Sequence, residues 1–184
     1  MLSDELEHLL RAAKDITKET EFMVVGAAAL LGTVRSPPRD LAMTIEADMY
    51  PAHRPELADE INGSIGELST FHDQFRVYAH GVGPETAVLP SGAESRLVRF
   101  TGPGANGAVA LCLEVHDLAA SKLVAARSKD VEFVKNLLKH RLLNPQVLAA
   151  RLHALPGDEG VRTRAMAAFE RAQRALGRGS GPSL

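Results

Sequence analysis

The stretch EFMVVG, residues 21–26, constrains this chain more than any other. Phe22 to Val25 are apolar without interruption and Gly26 closes them, the pattern of a short buried strand feeding a tight turn. Ala27 to Leu31 are helix formers that Gly32 can stop, so a short helix follows the turn. Residues 3–19 precede the strand as an amphipathic helix, with Leu6, Leu9, Leu10, Ala13 and Ile16 on one stripe. Pro37 and Pro38 place an exposed connector next, and LAMTIEADMY then alternates imperfectly and is read as a strand. Thr44, Glu46 and Asp48 project from one of its faces and Ile45, Ala47 and Met49 from the other.

Further along, residues 55–66 read as a helix, and Phe71 to Ala79 as a short element of undecided type. Glu85–Leu89 and Arg96–Phe100 read as strands flanking a Pro-Ser-Gly turn, and ALCLEV as another strand. From Asp117, placed as a cap, the periodicity becomes helical through about residue 140, with a bend near Ser128. Asn144 and Pro145 start a short helix, residues 160–176 form an arginine-rich one, and 177–184 read as a flexible tail. The expected fold class is α+β (α/β-type), with a helical C-terminal part from about residue 117.

A chain of 184 residues fits one domain, expected over 1–176. No basic segment leads into an apolar signal, and no apolar run approaches the roughly 20 residues that cross a bilayer, so a cytoplasmic protein without membrane partners is expected. The one cysteine, Cys112, permits no internal disulfide. A net charge of −2 conceals an asymmetry: residues 1–118 hold 9 basic against 18 acidic side chains, and residues 119–184 hold 12 against 5. Such a division can steer an anionic partner or hold two parts of the chain together.

The sharpest local constellation is VVGAAAL followed by TIEADMY. Carboxylates at i and i+2 of a strand, Glu46 and Asp48, point the same way and can share a divalent ion such as Mg²⁺. Backbone N–H groups after Gly26 can hold phosphate oxygens. The plain alternative is a solvent-facing acidic pair and a glycine that serves turn geometry alone. Lys122 and Lys129, seven apart in a helical stretch, would share a face that contacts phosphate or is merely solvated. Asp130 either orients a metal or pairs with Arg127. His116 suits a structural hydrogen bond better than a base, while His72 and His80 lack zinc spacing and read as structural or exposed. Arg151, Arg162, Arg164, Arg171 and Arg174 could approach tRNA or other RNA through phosphates, without aromatic side chains for base stacking, or simply form an ordinary solvated basic face.

FMVVGAAAL, TIEAD, FHDQFRVYAHGVGPETAVLPSG and HDLAASKLVAARSKDVEFVKNLL, in that order and spacing, resemble nucleotidyltransferase-like proteins of the DUF6036 type, related to AbiEii toxins. The resemblance implies a small mixed β-sheet flanked by helices, a glycine and a second small residue before a helix, here Gly26 and Ala27, and two metal-binding acids, here Glu46 and Asp48. It implies a third carboxylate on a later strand, for which Glu114 is the nearest candidate. It also gives Lys122 and the Lys129–Asp130 pair a part in nucleotide handling or catalysis. Ala27 stands where a glycine or serine is usual, and Glu46 where aspartate is more common. The implied activity is Mg²⁺-dependent transfer of a nucleoside monophosphate from an NTP to an unidentified acceptor, with a cognate toxin or antitoxin as a partner. The alternative is a catalytically silent scaffold that regulates or binds a partner.

Overall fold

A computed structural model describes residues 1–178. Helix α1 (Ser3–Thr17) is followed by strand β1 (Glu21–Val24), a 3₁₀ turn (Ala27–Ala29) and the one-turn helix α2 (Leu30–Thr33). After an irregular stretch come β2 (Glu46–Pro51), α3 (Ala58–Ile65), α4 (Thr70–Phe75) and β3 (Tyr78–Gly81). Strands β4 (Val98–Phe100) and β5 (Val109–Cys112) complete the sheet. Helices α5 (Val115–Ala125), α6 (Ser128–Lys139), α7 (Pro145–His153) and α8 (Glu159–Arg178) end the described chain. Gly177 and Arg178 thus continue the last helix, and the remainder of the expected tail, 179–184, lies outside the described residues. No described helix is long and apolar enough to cross a membrane.

The strands form one mixed five-stranded sheet in the order β3-β2-β1-β5-β4. β1 pairs antiparallel with β2 and parallel with β5, β2 pairs parallel with β3, and β4 pairs antiparallel with β5. This is the α+β class expected from the alternation of short apolar runs with helical periodicity. Contacts divide the chain into two compact units, the first being Met1–Ala87 with Glu94–Glu114, the second Val88–Ala93 with the chain from Val115 onward.

In the first unit, the sheet buries one face completely. Phe22, Val24, Ala47, Met49, Ala79, Phe100, Ala110 and Cys112 are all shut off from solvent. Two glycines let helices approach that face: a Cβ on Gly81 would fall 1.9 Å from the Ala58 carbonyl oxygen of α3, and one on Gly32 of α2 would fall 2.5 Å from the Cys112 Cβ. Helix α1 contributes Leu6, Leu9, Leu10 and Ala13, all fully buried, as its periodicity predicts. It is tied to the 102–106 turn by Arg11 donating to the Gly104 carbonyl (2.8 Å) and by Gly104 N–H donating to Glu7 (2.8 Å).

The second unit is helical. Asn144 caps α7 by accepting from the Gln146 and Val147 amides at 2.9 and 3.3 Å, with Pro145 at the first helical position. Asp117, expected as a cap, instead sits inside the first turn of α5, fully buried, with its Oδ1 3.2 Å from Arg151 Nε of α7. The helix begins two residues earlier, at Val115, because the apolar run of β5 ends at Leu113. His116 Nε2 accepts from the Asn144 amide at 2.9 Å, a structural bond. The strand expected at Glu85–Leu89 does not form. Pro84 opens a 3₁₀ turn (Pro84–Thr86), Pro90 offers no N–H to a ladder, and the Ser91 amide donates to the Ala154 carbonyl.

Candidate metal centre

The sheet's other face carries the polar residues. β2 presents Glu46 and Asp48 there, while the intervening Ala47 is buried behind them. The parallel register pairs Glu46 with Tyr78 and Asp48 with His80, so β3 lays a tyrosine and a histidine beside the two acids. His80 Nδ1 lies 3.2 Å from Glu46 Oε1 and 3.2 Å from Asp48 Oδ1. One ligand atom from each of these three residues lies within 4.8 Å of the other two.

Gly26 is what allows Asp48 its position. Its φ is +62°, and a Cβ there would lie 2.1 Å from Asp48 Oδ2. The carboxylate therefore rests against bare backbone, and the adjoining Val25 amide donates to the Asp48 carbonyl at 2.9 Å. A left-handed conformation and a missing side chain are both needed, and glycine alone supplies them without strain. The glycine turn and the acidic strand, some twenty residues apart in the chain, thus meet at one place. Ala27 follows directly as the first residue of the 3₁₀ turn and brings no hydroxyl.

The electrostatics are those of a site holding excess negative charge. Partial burial raises the Glu46 carboxyl above its ordinary range, the Asp48 charge adds to this, and His80 acts against both. The Tyr78 phenol is pushed up to about 12, first by burial, then by the charges of Glu46 and Glu67 and a hydrogen bond to Glu46. Two carboxylates and an imidazole, converging and partly exposed, form a donor set that suits a divalent cation, whose charge would relieve the repulsion between Glu46 and Asp48.

Glu114 is two residues beyond the Val24–Cys112 pair, so continuing the register sets it at the Gly26 end of the sheet, and the described cluster does not include it. The third member of that cluster is His80. His80, expected from its lack of zinc spacing to be structural or exposed, is brought beside the acids by the β2–β3 pairing, which zinc spacing does not encode. Its signal was the Tyr78/His80 alternation, the same i, i+2 spacing that marks Glu46 and Asp48.

In the helical unit, Lys122 and Lys129 do not share one helix face as their spacing suggested. Ala126, at φ +50°, ends α5, and α6 starts afresh at Ser128. Lys122 is mostly buried, its Nζ 3.5 Å from Asp130 Oδ1 and 5.0 Å from the centre of the Phe133 ring, whereas Lys129 is exposed. Asp130 is buried, and Arg127 Nε meets its other oxygen at 2.7 Å. Burial pushes the Asp130 carboxyl up, but Arg127 and Lys122 together outweigh it and hold the group below its ordinary value. Both carboxylate oxygens are thus engaged by cationic side chains.

A five-stranded mixed sheet with helices packed on one face, and an acidic pair set against a glycine turn on the other, defines a nucleotidyltransferase-like α+β protein. The chain belongs to the DUF6036 family, described as a nucleotidyltransferase of unknown function, whose model matches residues 2–169. No curated protein and no solved structure matches it.

Proposed function

We propose that this protein is a divalent-metal-dependent nucleotidyltransferase that passes a nucleoside monophosphate from an NTP to an acceptor hydroxyl, with release of pyrophosphate. The observation that carries this reading is the meeting of Glu46 and Asp48 with the bare backbone of Gly26. Glu46 and Asp48 would hold the cation, which when bound neutralises phosphate charge and lowers the pKa of an attacking hydroxyl. Gly26 keeps the Asp48 carboxylate in register, and the turn from Ala27 supplies backbone N–H groups for phosphate oxygens. Tyr78, un-ionised at neutral pH, donates to Glu46 and fixes its orientation. Lys122, set by Asp130 and backed by Phe133, is the residue assigned to nucleotide handling in the helical unit. Lys129, exposed on α6, is assigned the same task with less structural support.

The match over 2–169 supports treating residues 1–176 as one functional domain. The basic composition of residues 119–184 favours an anionic acceptor, tRNA or another RNA. A cognate toxin or antitoxin, and a cytoplasmic setting, complete the reading that the AbiEii resemblance suggests. A second reading, the catalytically silent scaffold, is favoured by the absence of a third carboxylate from the described cluster and by Ala27.

Calorimetric titration with a panel of NTPs, in Mg²⁺ and in EDTA, separates the two. Saturable binding that is lost in EDTA and in Glu46→Ala/Asp48→Ala supports the metal-dependent enzyme. Binding in no condition leaves the silent scaffold.

A further inference from the structure

His80 is not explained by packing. Its side chain is 49% exposed, on the polar face of the sheet, and what fixes it is the β2–β3 register that sets it beside Asp48. An exposed ion pair is the ordinary account of a histidine near acids, and such pairs contribute little. Here one nitrogen, Nδ1, stands 3.2 Å from an oxygen of each of two carboxylates. That nitrogen carries at most one proton, so it can serve one oxygen fully and not both. Two ligands at right angles about an ion, with bonds of about 2.0–2.3 Å, stand about 2.8–3.2 Å apart. The His80 distances to Glu46 and Asp48 have that spacing.

We propose that His80 Nδ1 is the third protein ligand of the cation held by Glu46 and Asp48, so that the centre takes Mn²⁺ or another first-row transition ion in preference to Mg²⁺. The proposal rests on the metal-dependent reading above and adds to it the donor that sets metal choice. Mg²⁺ favours oxygen ligands and keeps much of its water, whereas imidazole nitrogen suits the transition series. A site of two carboxylates alone would carry no such bias.

The test is Mn²⁺ binding to the full chain, followed by electron paramagnetic resonance and electron spin-echo modulation. The wild type should show nitrogen modulation from a coordinated imidazole, changed in form when histidine is ¹⁵N-labelled. In His80→Ala that modulation should vanish, with Mn²⁺ affinity falling at least as far as the roughly 10- to 100-fold that loss of an outer-shell partner costs. Competition titrations should show the wild type's preference for Mn²⁺ over Mg²⁺ largely abolished in His80→Ala. His80 is half exposed, so the variant should fold, which its thermal melt will check. Mn²⁺ that binds, is lost in Glu46→Ala/Asp48→Ala and shows no imidazole modulation would overturn the role of His80 while leaving the metal site standing. Modulation that persists in His80→Ala would overturn it too, by assigning the nitrogen to another residue. No Mn²⁺ binding in the wild type would remove both the inference and the reading beneath it.

Discussion

Gly26 and Asp48 form a pair in which one residue's missing atom makes room for the other's charge. Gly26→Ala would place a methyl group 2.1 Å from Asp48 Oδ2 in a backbone conformation that alanine avoids. The conformational part alone, positive φ with extended ψ, costs roughly 1–3 kcal/mol. The expected outcome is a modest loss of stability together with displacement of the carboxylate, read as at least tenfold weaker divalent-cation binding by calorimetry. Asp130 gives a second prediction. Its folded pKa is held below the unfolded value, so its contribution to stability is complete above about pH 4, the unfolded aspartate range, and disappears as pH falls through the lower folded value. Asp130→Asn leaves Lys122 facing a neutral amide in a mostly buried place and should cost about 3 kcal/mol at pH 7, from breaking a buried pair. In urea melts from pH 7 to pH 2, the gap between wild type and variant should narrow at the acid end. A gap that stays constant would show that the Asp130 charge is not what stabilises the pairing.

At the scale of elements, the break between α5 and α6 rests on one alanine in the left-handed region. Ala126 has φ +50° and its amide donates to the Lys122 carbonyl at 2.9 Å, closing the helix. Glycine adopts that conformation without the Cβ penalty, and so Ala126→Gly should stabilise the protein by roughly 0.5–1 kcal/mol, measured as a raised midpoint in chemical denaturation. A destabilised variant would show that the Ala126 methyl packs more than its conformation strains. The elements also show what could be read from the chain and what could not. β1 and β2 were legible because a short apolar run closed by Gly26 and the alternation Glu46, Ala47, Asp48, Met49 both suit strands. The bend near Ser128 was legible, but its consequence for Lys122 and Lys129 was not, because spacing of seven implies a shared face only in an unbroken helix. β3 was obscured by the aromatic residues of α4 running directly into it, so His80 was legible as an exposed histidine but not as a neighbour of Glu46 and Asp48. That Glu46 and Asp48 share one face of a strand was legible; their contact with Gly26 depends on strand pairing, which local pattern does not encode.

For the whole molecule, the opposite charges of its two ends give a measurable expectation. If RNA is the acceptor, phosphate contacts from the arginine-rich C-terminal part make its affinity fall steeply with salt. Reversing Arg164, Arg171 and Arg174, all exposed on α8, should lower both the affinity and the salt slope. Salt-independent RNA binding would rule out phosphate contacts as its source. The middle of the sheet provides another handle on the molecule as a whole. Burial pushes the Cys112 thiol up to about 12, so it should resist alkylation at pH 8 until the first unit unfolds. The single native cysteine is then silent rather than absent. Met43→Cys, at a position 72% exposed, would give a native-state attachment point for a fluorophore or spin label without any need to remove Cys112. One preparation would then carry a surface reporter that reacts at once and an interior clock that starts only when the fold opens.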